Sequence, residues 1–327
     1  MPEQFYPMSH ADAQALIEAL EALAPGLVTT TQAGKLAPDA EAIQDGFIKL
    51  GTSSNKGLLS KAFAAILENP EAIVFTPGKS LTQNAGFHNS LFRGKNLGTS
   101  VTAAQWAAIG AGTFDDLFIG DYWTINGVVW RIAAFDYWYR CGDQECTTHH
   151  VVIVPDANLV AADGSTTHWM NATNTTEGAY VGSDFYTGNN GNTGKSQCTT
   201  KINSAFGAGH ILTHREYLQN AVKDGYGSAG AWYDSTLECM NEQMVYGGKV
   251  FGDIMHGTNI PASYTIGKSQ LPLFALAPSF ICNRASWWLR DVVSATHFAY
   301  VYAYGYCDCY GAARAWVGLR PAFGIRA

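Results

Sequence analysis

Three groups of residues in this sequence are of types that do chemistry. Cys141, Cys146, His149 and His150 form a Cys-x4-Cys-x2-His-His run of zinc-ligand types. That spacing matches no common finger, and adjacent histidines on a strand point to opposite faces, so the run is read as structural and no metal is expected. Cys307-Asp308-Cys309 puts two thiols at i and i+2, one face of a strand, without easy disulfide geometry. A nucleophilic role there would need a thiolate. Asp234 and Glu238 stand one helical turn apart, as do His210 and His214. A solvated helix face explains the first pair, and structural histidines the second. No phosphate-cradling Gly-rich loop, Gly-x-Ser-x-Gly elbow, His-Glu-x-x-His helix or calcium-type Glu-Pro-Asn triplet occurs. The expectation is a protein that is not an enzyme and carries no cofactor.

The most informative residues lie near the C-terminus. Between Arg284-Ala285-Ser286-Trp287-Trp288-Leu289-Arg290 and Gly318-Leu319-Arg320-Pro321-Ala322-Phe323-Gly324-Ile325 the chain alternates with period two. Tyr300, Tyr302, Tyr304, Tyr306, Asp308 and Tyr310 fall on one face of an extended strand. Ala299, Val301, Ala303, Gly305, Cys307 and Cys309 fall on the other. Small residues would then face the body and large amphipathic rings would face out. Such a row resembles an antibody paratope, where tyrosine gives contact area at low rotamer cost. Each well-buried anchor there contributes about 2 kcal/mol. A tyrosine-lined internal sheet packed under a loop gives the same alternation, and the pattern alone leaves the two open.

The elements that must hold this tract are legible in part. Amphipathic helices are expected at residues 9–24, ended by Pro25-Gly26, and near 57–68, with a short helical signal at Thr102–Ile109. From Leu117 to Ala133, two aromatic and β-branched runs flank Asn126-Gly127, the favoured type I′ turn pair, and read as a hairpin. Val151–Val154 reads as a strand, 178–194 as long loop, and His214–Val222 as a helix. The domains expected are 1–112, a helical anchoring or oligomerising region, and 113–327, a ligand-binding domain of α+β class with long loops.

Composition narrows the function classes. Charged residues are 14% of 327, aromatics 13%, and glycine supplies 34 residues, which fits a rigid, loop-rich β-containing protein. A net charge of −7 without a Lys/Arg cluster disfavours nucleic acid. Leu271–Cys282 is too short and Pro-interrupted to span a bilayer, so no membrane insertion is expected. The start lacks a secretion signal. Seven cysteines with no framework spacing suit synthesis in a reducing cytosol.

The Arg-Ala-Ser-Trp-Trp-Leu-Arg opening, the alternating tract and the Gly-Leu-Arg-Pro-Ala-Phe close resemble the variable region of diversity-generating retroelement target proteins. The resemblance is strongest over 284–325 and extends more loosely back to the hairpin at 117–133. In that family variation arises at template adenines, usually in Asn codons, from which Lys, Glu, Gln and Met cannot be reached. Residues 291–315 contain none of those four. Trp316 is not reachable either and would be fixed or otherwise explained. Phe92–Gly98 and Phe114–Trp123 look like segments of tail-associated proteins of gut bacteriophages.

The resemblance implies a C-type-lectin-like fold of the formylglycine-generating-enzyme type, with its first strand paired to its last, bringing 122–132 beside 318–325. It implies a scaffold of Trp287, Trp288, Leu289, Gly318, Arg320, Pro321 and Phe323. The variable binding face would be Ser294, His297, Tyr300, Tyr302, Tyr304, Tyr306, Asp308, Tyr310, Ala313, Arg314 and Ala315. The function implied is receptor binding from a phage particle assembled in the host cytoplasm. The partners would be a bacterial surface protein or glycan, other virion proteins and, by analogy, further copies in a homo-oligomer such as a trimer. An oxidase related to the formylglycine-generating enzyme, and an undiversified structural phage protein or bacterial adhesin, are the competing readings.

Overall fold

The computed structural model describes residues 84–159, 168–191, 194–250 and 269–327. The helices expected at 9–24 and 57–68 lie outside the described residues. The fold is mixed α and β, with mostly antiparallel sheets and few helices. Its helix α1 (Ala103–Ala111) follows the sequence signal closely. Thr102 accepts from the Gln105 backbone while the Gln105 side chain returns to Thr102, a capping box, and Gly112 closes the helix at φ 69°. Ile109 on this helix is buried, and Phe92 and Asn96 form bridges to Ile119 and Tyr122. Residues 84–112 therefore belong to the same compact unit as the strands that follow, and Gly112 lies inside that unit.

The main sheet has the order β1-β2-β3-β10-β6 and every neighbouring pair in it is antiparallel. β1 (Tyr122–Ile125) and β2 (Val128–Phe135) join through Asn126 and Gly127, both at positive φ (52° and 76°), as a type I′ turn requires. β3 (Val151–Pro155) opens with four β-branched residues before Pro155, and all of it is buried. β10 (Pro321–Ile325) pairs with β3 on one side and with β6 (Leu237–Cys239) on the other. The pairing expected between 122–132 and 318–325 is thus not made, because β3 lies between β2 and β10. Trp130 still meets Phe323 edge-on at 5.6 Å, and both pack on Phe206. Phe206 ends α2 (Gly194–Phe206), whose Cys198, Ile202 and Phe206 form one buried stripe at four-residue spacing.

His214–Val222 is not helical. It is β4 (His214–Lys223), paired with β5 (Tyr226–Ser235) through Asp224-Gly225 at φ 53° and 85°. His214, Glu216 and Leu218 are buried alternately, the period of a strand. Tyr217 meets Trp232 directly across the ribbon with ring centroids 5.4 Å apart. Asp234 and Glu238 consequently sit on two strands, and His210 lies in a 3-10 turn stacked on Trp106 at 4.1 Å.

A three-stranded antiparallel sheet carries the C-terminal tract: β7 (Trp287–Ser294), β8 (His297–Val301) and β9 (Cys307–Gly311). Trp287, Trp288, Leu289, Arg320 and Phe323 are buried, as are Gly318 and Pro321. The Arg320 guanidinium donates to the Pro155 and Phe280 carbonyls at 2.7 Å each and lies over Trp287, and its burial lowers its pKa to about 10. Arg290 on β7 reaches Glu216 on β4 at 3.2 Å, and the Trp138 indole donates to the same carboxylate at 2.9 Å. A buried charge held this way locks two sheets in one relative position, since removing either partner strands the other.

Candidate ligand-binding face

The alternating tract is not one strand. The chain reverses at 302–306, where Gly305 N–H donates to the Tyr302 carbonyl at 2.7 Å and Tyr302 N–H to the Tyr306 carbonyl at 2.9 Å. Gly305 takes φ 93°, the left-handed residue of a three-residue hairpin loop. The register pairs Tyr300 with Asp308 and Phe298 with Tyr310. Even positions face even positions across the turn, so the two strands still present their even-numbered side chains on one face.

On that face burial varies steeply. Tyr300 is only 1% exposed and forms a floor, contrary to its expected outward position. The reason is company: Trp288 stands beside it on β7, and the rings of Tyr302, Tyr310 and Trp316 surround it with centroids 5.5–6.2 Å away. The small residues Ala299 and Val301 are buried beneath the sheet as expected. Tyr302 is half-buried and stacks on Tyr306 at 4.9 Å and 22°. Tyr304 and Tyr306, at 68% and 52%, are the most exposed rings of the tract, and Trp316 follows at 43%. Exposed Arg314 lies over the Tyr310 ring at 4.7 Å.

These rings wall an open concavity of about 690 Å³, lined by Tyr300, Tyr302, Asp308, Tyr310 and Trp316 on the hairpin side. Asn158, Arg284, Ala285, Ser286 and Ala303 complete the lining. Asp308 accepts the Tyr300 phenol at 3.1 Å and its own chain's Cys309 N–H at 2.8 Å. Burial, and then Asp308, push the Tyr300 pKa up, so the phenol keeps its proton and donates. The volume is that of a small-molecule or oligomer-end site, roughly 300–1,000 Å³ in general.

Of the expected face, Tyr300, Tyr302, Asp308 and Tyr310 line the concavity, and Tyr304, Tyr306 and Arg314 stand around it. Ser294 and His297 sit at the β7–β8 turn, where Ser294 Oγ and Thr296 Oγ1 hydrogen-bond His297 Nδ1 at 3.3 and 2.7 Å. Ala313 is tied to Asn174 by its N–H, and Ala315 is exposed beyond β9. None of these four lines the concavity. Asn158 had no signal in the sequence, and Arg284 and Ser286 stood only in the motif that opens the tract. Trp316, expected outside the variable set, lines the concavity beside Tyr300 and Tyr310.

The other chemical groups have structural partners. Cys141 hydrogen-bonds the Tyr137 and Tyr139 carbonyls and Cys146 that of Thr148. His149 pairs with Asp136 at 2.7 Å. His150 is fully buried, accepting Trp138 N–H at Nε2 and donating from Nδ1 to the Thr148 carbonyl, and burial lowers its pKa to about 3. Cys307 Sγ meets Glu242 Oε1 at 3.3 Å; burial, and then that carboxylate, push the thiol pKa up, away from a nucleophile. Among the described residues no helix is long and apolar enough to cross a membrane.

Comparison with protein-family models, curated proteins and solved structures finds no match for this chain.

Proposed function

We propose that this chain is a receptor-binding protein displayed on a bacteriophage particle, a diversity-generating retroelement variable protein that contacts the host surface through the tyrosine face of 294–316 on a C-type-lectin-like frame. The observation that carries the reading is the contrast within one short tract. Trp287, Trp288 and Leu289 are wholly buried, whereas Tyr304, Tyr306 and Trp316 project beside an open concavity. A surface stays soluble most simply through charge, so clustered exposed rings favour a contact surface. The oxidase alternative needs a thiolate at Cys307, and the Glu242 carboxylate beside it opposes one. Further copies on the particle would raise a weak single contact through avidity.

The test is binding of the purified chain, multimerised on beads, to host-range bacteria. Tyr304→Ala combined with Tyr306→Ala abolishes capture while circular dichroism stays unchanged. Undiminished capture rejects the reading. Sibling isolates should differ mainly at the seventeen exposed or half-buried positions of 291–315. The encoding locus should hold a near-repeat of the segment for 284–325 beside a reverse transcriptase gene.

A further inference from the structure

We infer that the concavity beside the hairpin is a site for a saccharide bearing a carboxylate, with Arg284 as the carboxylate's partner; this deepens the display reading and rests on it. Arg284 and Ser286 line the concavity from a segment outside the alternating tract. The Arg284 guanidinium is exposed and, among the described residues, makes no hydrogen bond or ion pair. It is held at φ 64°, a left-handed conformation in which a non-glycine residue is uncommon. Two residues on, Ser286 is 8% exposed, and its hydroxyl likewise has no partner among the described residues.

Asp308 lines the same concavity. One of its oxygens takes the Tyr300 phenol and the other the Cys309 N–H, which leaves each with further acceptor capacity. The lining thus offers a fork of donors, carboxylate acceptors, a hydroxyl and aromatic rings in one concavity. A guanidinium fork matches a carboxylate bidentately. Carboxylate oxygens and a serine hydroxyl suit sugar hydroxyls, and the apolar C–H faces of a pyranose pack on tyrosine and tryptophan rings. A neutral sugar would leave Arg284 unused, and a bare carboxylic acid would leave the rings and Asp308 unused. With a net charge of −7 the chain does not attract polyanions at long range, so the recognition must be local.

The experiment prints uronate- and sialate-terminated oligosaccharides beside their neutral counterparts and probes them with the full chain. Signal falls on carboxylated spots, and Arg284→Ala lowers it about tenfold or more while Arg284→Lys, which keeps charge but loses the fork, retains part of it. Tryptophan emission shifts on titration with soluble trigalacturonate and not with citrate, and the shift is lost in Trp316→Phe. Equal signal on neutral spots, no signal on carboxylated ones, an unaffected Arg284→Ala variant, or competition by citrate as strong as by the sugar each overturns the inference. Capture of bacteria separates the two readings. If Arg284→Ala still captures cells and the Tyr304→Ala, Tyr306→Ala variant does not, the saccharide falls and the display face stands; if neither variant loses capture, both fall.

Discussion

The phenol of Tyr300 and the carboxylate of Asp308 are direct cross-strand partners, joined at 3.1 Å on the face where the concavity opens. Tyr300 therefore holds two strands at the same place where its ring floors a binding surface. Tyr300→Phe and Asp308→Asn should each destabilise the chain by about 1 kcal/mol, since a hydrogen bond to a partly exposed carboxylate is worth that order. The double variant should cost no more than the larger single one. Urea denaturation of the four proteins checks this, and additive effects would show that the pair is not coupled.

Scaffold and display positions a few residues apart should respond very differently. Trp288 is wholly buried and donates its indole N–H to the His168 carbonyl at 2.6 Å, so Trp288→Ala should cost about 3–5 kcal/mol and lower yield sharply. Tyr304 stands largely in solvent, and Tyr304→Ala should stay within about 0.5 kcal/mol. Thermal melts measure both.

The hairpin loop depends on one backbone conformation. A Cβ at Gly305 would sit 3.1 Å from Cys282 Cβ, and φ is 93°. Gly305→Ala should destabilise by about 1 kcal/mol or more. It should also disturb the Tyr302–Tyr306 stack, which near-ultraviolet circular dichroism reads directly.

Acid should weaken the fold before carboxylates titrate. His150 has its pKa lowered to about 3 by burial, and His88 is lowered for the same reason. A histidine depressed in the folded state is protonated first in the unfolded chain, so its contribution is full above the ordinary value near 6.5 and fades as pH falls toward 3. Glu216 acts lower down. Burial alone would raise it, but Arg290, His214 and Trp138 outweigh burial and bring it to about 2, so its contribution fades only below about 4.5. Stability measured from pH 7 to 5 should already decline, and His150→Gln should flatten that stretch while leaving the decline below 4.5.

Local rules made some elements legible and long-range satisfaction hid others. Thr102 with Gln105, and Asn126 with Gly127, act through neighbours in sequence, and both were readable. Asp224-Gly225 carries the same turn signal, but the strand before it buries His214 and Glu216, polar residues that do not read as a strand's inner face. Their burial is made possible by Arg290 and Trp138, 74 and 78 residues away from Glu216. The tyrosine tract showed its parity but not its reversal, because even pairs with even whether the chain runs straight or turns at 302–306. Arg284 and Ser286 were read as part of a fixed flank, and Asn158 lies 128 residues from the Ser286 carbonyl it binds.

Gly318 N–H donates to the Ser286 carbonyl at 2.8 Å and the Gly318 carbonyl accepts Trp288 N–H at 3.0 Å. The excursion from β7 through β9 is therefore closed at its root, and along its length it is pinned again, by Arg290 to Glu216, by the Ala295 carbonyl to Thr176 N–H and by the Ala312 carbonyl to Met170 N–H. The side chains of Tyr304, Tyr306 and Arg314 take part in none of these ties, so exchanging them would leave the segment seated where it is.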